Sequence, residues 1–174
     1  MPSVRRQTYG KFGLALKGVE ELSRQLARDG EVWQRVQQAA VRGMVENTED
    51  LLGRAMRDAP VDEGTLRASG SAAVYANGRA VARRGFREVG SEPVESPEHL
   101  EMRERRAVHE GGLGDAVVGE VGFNTPYALV QHERLDFDHP KGGKAKYLED
   151  NVKEQAGRYQ GHLAERLRGA LGRP

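Results

Sequence analysis

The sequence predicts an α+β domain: a small, mostly antiparallel sheet with a long helix in the N-terminal half and a C-terminal helix packed on one face, plus a long inserted loop. Three observations predict it. Apolar residues recur at three- or four-residue steps over 31–59, an Asn77-Gly78 pair separates two short strand-like runs, and a second helical pattern extends from Tyr147 to Leu167. All 174 residues read as a single domain with 85–114 as a long mobile insert, because a chain of this size holds one core and not two.

Val19, Leu22 and Leu26 mark a first short amphipathic helix that stops near Asp29-Gly30. The long helix follows, with Val32, Val36, Ala40, Met44, Leu51, Leu52, Ala55 and Ala59 on one stripe. At 1.5 Å per residue it spans roughly 40 Å. Gly43 and Gly53 each cost about 1 kcal/mol relative to alanine in a helix interior, so packing against the sheet must hold it. Trp33, beside Val32, is expected to be buried.

Proline lacks an N–H and disfavours the α region for the residue before it, so Pro60 ends this helix at or before Ala59. Gly64 permits the sharp reversal that follows, giving helix, rigid turn, strand. In that turn Asp62 is placed to accept backbone N–H groups and Arg67 to pair with Asp62. Residues 71–76 and 79–83 then flank Asn77-Gly78, the pair best suited to a type I′ hairpin because both central residues take positive φ. The ribbon is rich in alanine and needs another strand, which 116–123 supplies with Val117, Val118, Val121 and Phe123. Tyr147, Leu148, Val152, Ala156, Tyr159, Leu163 and Leu167 define the last helix, weakened by Gly157 and Gly161 and fraying from Gly169. Tyr127 and Tyr147 are expected at the ends of the sheet, their hydroxyls meeting water or backbone.

Residues 85–114 alternate arginine and histidine with glutamate, start extended at Pro93 and Pro97, and allow a short helix over 98–108. Two readings stand: a solvated mobile excursion, or an arm that orders against a neighbouring subunit.

Composition narrows the function classes. With 37% hydrophobic and 30% charged residues, little apolar material remains beyond one thin core, which suits a subunit that completes its burial against partners. Basic and acidic residues number 27 and 26, a formal charge of +1, so no large field favours nucleic acid or an anionic membrane. The absence of cysteine excludes disulfides, thiolate metal sites and a cysteine nucleophile. No stretch approaches the length needed to cross a bilayer.

One cluster has the residue types of a chemical site: His132, Glu133, Asp136, Asp138 and His139. Imidazole and carboxylate ligands so close in sequence can hold zinc or a similar ion, and a metal-bound water permits hydrolysis, which makes a small metal-dependent hydrolase using His132, Glu133, Asp136 and His139 the alternative function. Neither a His-Glu-x-x-His nor an EF-hand spacing is present, and no phosphate-binding glycine loop or serine–histidine pattern occurs. Lys141, Lys144 and Lys146 form a basic loop able to meet an acidic partner or simply to face solvent.

The stretch Ala59-Pro60-Val61-Asp62-Glu63-Gly64-Thr65-Leu66-Arg67-Ala68-Ser69 resembles the Ala-Pro-Val-Asp-x-Gly-x-Leu-Arg-x-Ser signature of the tail-completion, or minor capsid, proteins of long-tailed bacteriophages. A second block is similar to theirs: Tyr127-Ala128-Leu129-Val130-Gln131-His132-Glu133, a glycine-containing loop through His139, Lys141 and Lys144, and the Tyr147-Leu148 pair that leads into the last helix. Residues 12–17, followed by Gly18-Val19-Glu20-Glu21-Leu22, resemble the short strand, glycine and first helix with which such proteins begin. Residues 77–115 carry no resemblance.

What the resemblance implies is structural work and no enzymatic activity or cofactor. The chain would join head and tail of a tailed phage or phage-like particle as a cyclic oligomer, a hexameric ring in the family. It would lie between a head connector, adaptor or stopper protein and the tail tube protein. DNA would pass through the channel without sequence-specific binding, and no membrane is involved. Its places would be the virion's head–tail interface and, during assembly, the host cytoplasm. Another connector or stopper protein of the same particle is a second alternative. The structural corner is Pro60, Asp62, Gly64, Leu66 and Arg67; the candidate interface is Tyr127, Glu133, His139, Lys141, Lys144 and Tyr147.

Overall fold

The computed structural model describes residues 30–85, 117–123 and 125–172. The expected first helix, the segment 12–17 and the insert beyond Gly85 lie outside the described residues. The order of elements is α1 (Gly30–Asp58), α2 (Thr65–Ala68), β1 (Gly70–Ala76), β2 (Arg79–Gly85), β3 (Val118–Phe123), α3 (Ala128–Glu133) and α4 (Glu149–Ala170). The fold is α+β, with a three-stranded, wholly antiparallel sheet in the order β2-β1-β3.

α1 runs for 29 residues, about 43 Å. It buries Val36, Ala40, Met44, Leu51, Leu52 and Ala55 as the periodicity requires, together with Gly43, Asn47, Thr48 and Met56. Trp33 is only half-buried, contrary to expectation. Asn77 and Gly78 have φ of 52° and 70°, the positive values that a type I′ hairpin demands of both. The β1–β2 register slips between Val74 and Tyr75: Val74 faces Ala82 and Tyr75 faces Ala80, so Val81 is the extra, bulged residue.

Small residues in the sheet let α1 come close. A Cβ on Gly70 would stand 3.1 Å from Leu52 Cδ1, and one on Gly119 would lie 2.2 Å from Thr48 Oγ1. The alanine-rich ribbon is therefore not a weak strand but the fit for a helix laid across it. β1 is buried from Gly70 to Tyr75, which explains why its sequence does not alternate as a half-exposed strand would.

α4 lies antiparallel to α1, as the descending pairs show: Asp58 with Asn151, Asp50 with Tyr159, Asn47 with His162, Gly43 with Leu163. Gly43 is tolerated because α4 approaches there; a Cβ would meet Leu163 Cδ1 at 2.9 Å. The main core joins Leu52, Ala55, Leu66, Val121, Phe123, Tyr147, Leu148 and Tyr159, and a smaller cluster joins Met44, Val74 and Leu163. No helix among the described residues is long and apolar enough to cross a membrane.

Candidate interaction site at the helix corner

α1 ends at Asp58, one residue before the limit set by Pro60. A helix end leaves carbonyls without intrahelical partners, and here other parts of the chain supply donors. Arg67 Nε donates to Ala59 O at 3.0 Å and its Nη2 to Arg57 O at 2.8 Å, while the Lys144 amide donates to Asp58 O at 2.8 Å. The expected Arg67–Asp62 pair is thus replaced: Arg67 caps the helix, because its planar fork reaches two carbonyls at once. Asp62, in turn, takes Lys141 Nζ at 2.7 Å.

Gly64 adopts φ 85°, ψ −7°, the left-handed conformation that glycine accommodates at no cost. Strand does not follow at once, however. The single turn of α2 intervenes, with Ala68 N bonded to Gly64 O at 2.9 Å, and this turn drives Leu66 into the core at 4% exposure. Ser69 Oγ closes it by donating to Leu66 O at 2.7 Å.

The second sequence block folds directly onto this corner. Val61 N donates to Gly142 O at 3.0 Å beside the Lys144–Asp58 bond, so the loop and the corner are stitched backbone to backbone. Gly143 has φ 98° and lies against Pro60 and Ala59. Lys146, at φ 54°, turns the loop and sends its amide to His132 O at 2.8 Å. Tyr147 then enters the core, 2% exposed, with its hydroxyl donating to Ala128 O at 3.2 Å and its ring edge-on to Phe123 and His132. Burial pushes that hydroxyl's pKa up.

The loop's charges are satisfied within the chain. Lys146 pairs with Glu133 and with Glu149 at 3.0 Å, and Lys144 pairs with Asp150 at 3.1 Å and Asp58 at 3.7 Å. The Lys146 hydrogen bond, followed by that from His132, holds the Glu133 carboxyl below its ordinary range. Lys153, then Lys146, draw Glu149 down to about 2. Arg134 holds Asp136 at about 2 through two hydrogen bonds of 2.7 and 2.6 Å.

These pairings occupy His132, Glu133 and Asp136, three of the four ligands that the metal-site alternative requires. His132 Nε2 accepts from Glu149 N at 3.3 Å, so Nδ1 carries the hydrogen and donates to Glu133 at 2.7 Å. Among the described residues no group of three or more histidine, aspartate or glutamate side chains is arranged to hold a metal ion.

Both blocks line one cleft of about 220 Å³. Pro60, Asp62, Gly64, Leu66, Tyr127, His139 and Lys141 meet there, with Gln131 and Phe137 completing the wall. Tyr127 is 42% exposed at the rim, and Gln131 Oε1 and His139 Nε2 are buried without a hydrogen-bond partner among the described residues. Arg67, Glu133, Lys144 and Tyr147 stand outside the cleft and hold its walls. Because Tyr147 is core, any surface offered by this loop is offered by its neighbours.

Sequence reasoning missed Asn151, which is 4% exposed and donates to Asp58 Oδ2 and Tyr147 O, both at 2.7 Å. It missed Asn47 likewise, whose amide donates to Tyr159 O at 3.1 Å. Each interrupts an apolar stripe, and that interruption was the available signal: a buried amide needs a partner across the interface.

Compared with known proteins, the chain matches no family model, and neither the curated proteins nor the solved structures give a match.

Proposed function

We propose that this chain is a structural virion protein that joins head and tail of a tailed phage or phage-like particle. The observation that carries the proposal is the meeting of the two resembled blocks. Segments about 80 residues apart, such as Val61 and Gly142, form one stitched unit around a common cleft, as expected if the signature records a single architecture and not a chance run of letters. Gly64 and Leu66 have a backbone and a core role in that unit, which suits a motif that shapes a surface.

On this reading the chain works in a ring, hexameric by resemblance, between connector and tail tube, with DNA passing through. The cleft, Tyr127 and the His139–Lys141 segment face neighbouring subunits. A chain that builds its ring on a template is monomeric or weakly associated alone, which light scattering checks. The decisive experiment removes the coding sequence from its resident phage or prophage. Filled heads and free tails, unjoined in electron micrographs and rejoined by adding purified protein, are expected. Normal yields of joined particles would refute the proposal.

A further inference from the structure

At the other end of α1 a larger cleft of about 680 Å³ opens between the helix and the hairpin tip. Val41, Val81 and Val117 form its floor, while Gln38, Arg42 and Arg79 rim it. Val81 is the bulged residue of β2, and it is 49% exposed, so the bulge turns an apolar side chain outward where a regular ladder would have paired it. Among the described residues, Arg42 and Arg79 are exposed and have no carboxylate partner, and no acidic residue lines the cleft. The contrast with the lysine loop is sharp. Lys141, Lys144 and Lys146 each have carboxylates of their own chain in contact, whereas these two arginines have none among the described residues.

We propose that this cleft is a docking site for an acidic segment of another polypeptide that also carries aliphatic side chains. Charge complementarity selects the carboxylates: two guanidinium groups offer bidentate hydrogen bonds to them with no competitor among the described residues. The valine floor selects the aliphatic side chains, since burying it against water-excluding groups adds to the attraction. A nucleic-acid backbone meets the arginines but leaves the valines unsatisfied, and the volume suits a few inserted side chains. The site is separate from the corner and does not depend on the head–tail reading.

Fluorescence anisotropy of the full chain with a labelled peptide of alternating glutamate and leucine tests this. Saturable, salt-sensitive binding is expected, weakened about tenfold or more by Arg42→Gln with Arg79→Gln, and separately by Val81→Ser. The glutamine counterpart of the peptide should lose most of the binding, and the melting temperature of the variants should stay unchanged. Absence of saturable binding to the full chain overturns the proposal, as does binding indifferent to the arginine variants. Tighter binding of duplex DNA through the same arginines would make the face a nucleic-acid surface and overturn it too. Self-association lost in the same variant would identify a second copy as the occupant and would overturn it equally.

Discussion

Gly143 lies so close to Pro60 that a Cβ on it would stand 2.4 Å from Pro60 Cα and 2.5 Å from Ala59 O. Backbone and not a flexible side chain fills that space, and the φ of 98° is itself unfavourable to any L side chain. The end of α1 and the loop before α4 are therefore held at a separation that only glycine permits.

Gly143→Ala is expected to lower stability by roughly 2–4 kcal/mol, since it combines backbone strain with a clash that cannot relax locally. Gly142→Ala meets the same φ with open space around it and should cost clearly less. Urea unfolding of both variants checks the difference. Equal losses would mean that strain, and not contact with Pro60, sets the requirement.

Gly64→Val should cost about 1–3 kcal/mol for placing a β-branched residue in the left-handed region. Glu63, which fills the variable slot of the resembled signature and is exposed, should accept threonine or alanine with no change in melting temperature.

Arg67→Met removes the donors to Arg57 O and Ala59 O, and should destabilise by about 1–3 kcal/mol. Lys141→Met breaks only an exposed pair with Asp62, whose side chains are 60% and 87% accessible, and should leave the thermal midpoint unchanged. A similar effect of the two variants would show that the helix cap contributes nothing beyond surface charge.

The α1–α4 seam gives a coupled pair. Leu163→Ala empties a buried site and should cost about 2–4 kcal/mol. Gly43→Ala gains helix propensity of about 1 kcal/mol but pushes its Cβ toward Leu163. In the Leu163→Ala background that obstacle is gone, so Gly43→Ala should become stabilising. A double-mutant cycle measures the difference, and strict additivity would show that the two residues do not touch.

Acid should loosen the loop before it unfolds the rest. Glu149 and Asp136 titrate near about 2 in the folded chain, and Glu133 is also depressed, relative to about 4 for such groups unfolded. Stability from these carboxylates is present above the unfolded value and is lost as pH falls through the folded one. Thermal midpoints followed downward from about pH 5 should drop toward about pH 2, with Glu149→Gln flattening the profile and high salt doing so further. An identical profile in Glu149→Gln would remove its ion pairs from the account.

The elements that depend on local chemistry are legible in the sequence: the 3.6-residue stripe of α1, the stop at Pro60, the two positive-φ residues of the hairpin. The turn of α2 is not, because Thr65-Leu66-Arg67-Ala68 has no period long enough to register and its helical state follows from seating Leu66 in the core. The site is half legible. Its glycines announce their backbone role, but the pairing of Asp62 with Lys141 joins residues some 80 positions apart, as does the bond from Val61 to Gly142, and spacing in the sequence carries no information on that. Trp33 departs from expectation because composition assigns a large aromatic ring to the interior, whereas it stands in the first turn of α1, ahead of Val36, the first buried residue of the helix.

The antiparallel lie of α1 on β1 gathers the irregular parts of the described residues at two poles. The corner, the glycine loop and the start of α4 share one, and the hairpin tip and the start of β3 share the other. From Arg42 to Asp58 the helix rises about 24 Å, more than two Debye lengths at physiological salt. Charge placed at one pole is therefore scarcely felt at the other, and a partner seated on either leaves the opposite pole open. The described residues have a heading, as a rivet does, and if partners seat at both poles neither competes with the other for the same ground.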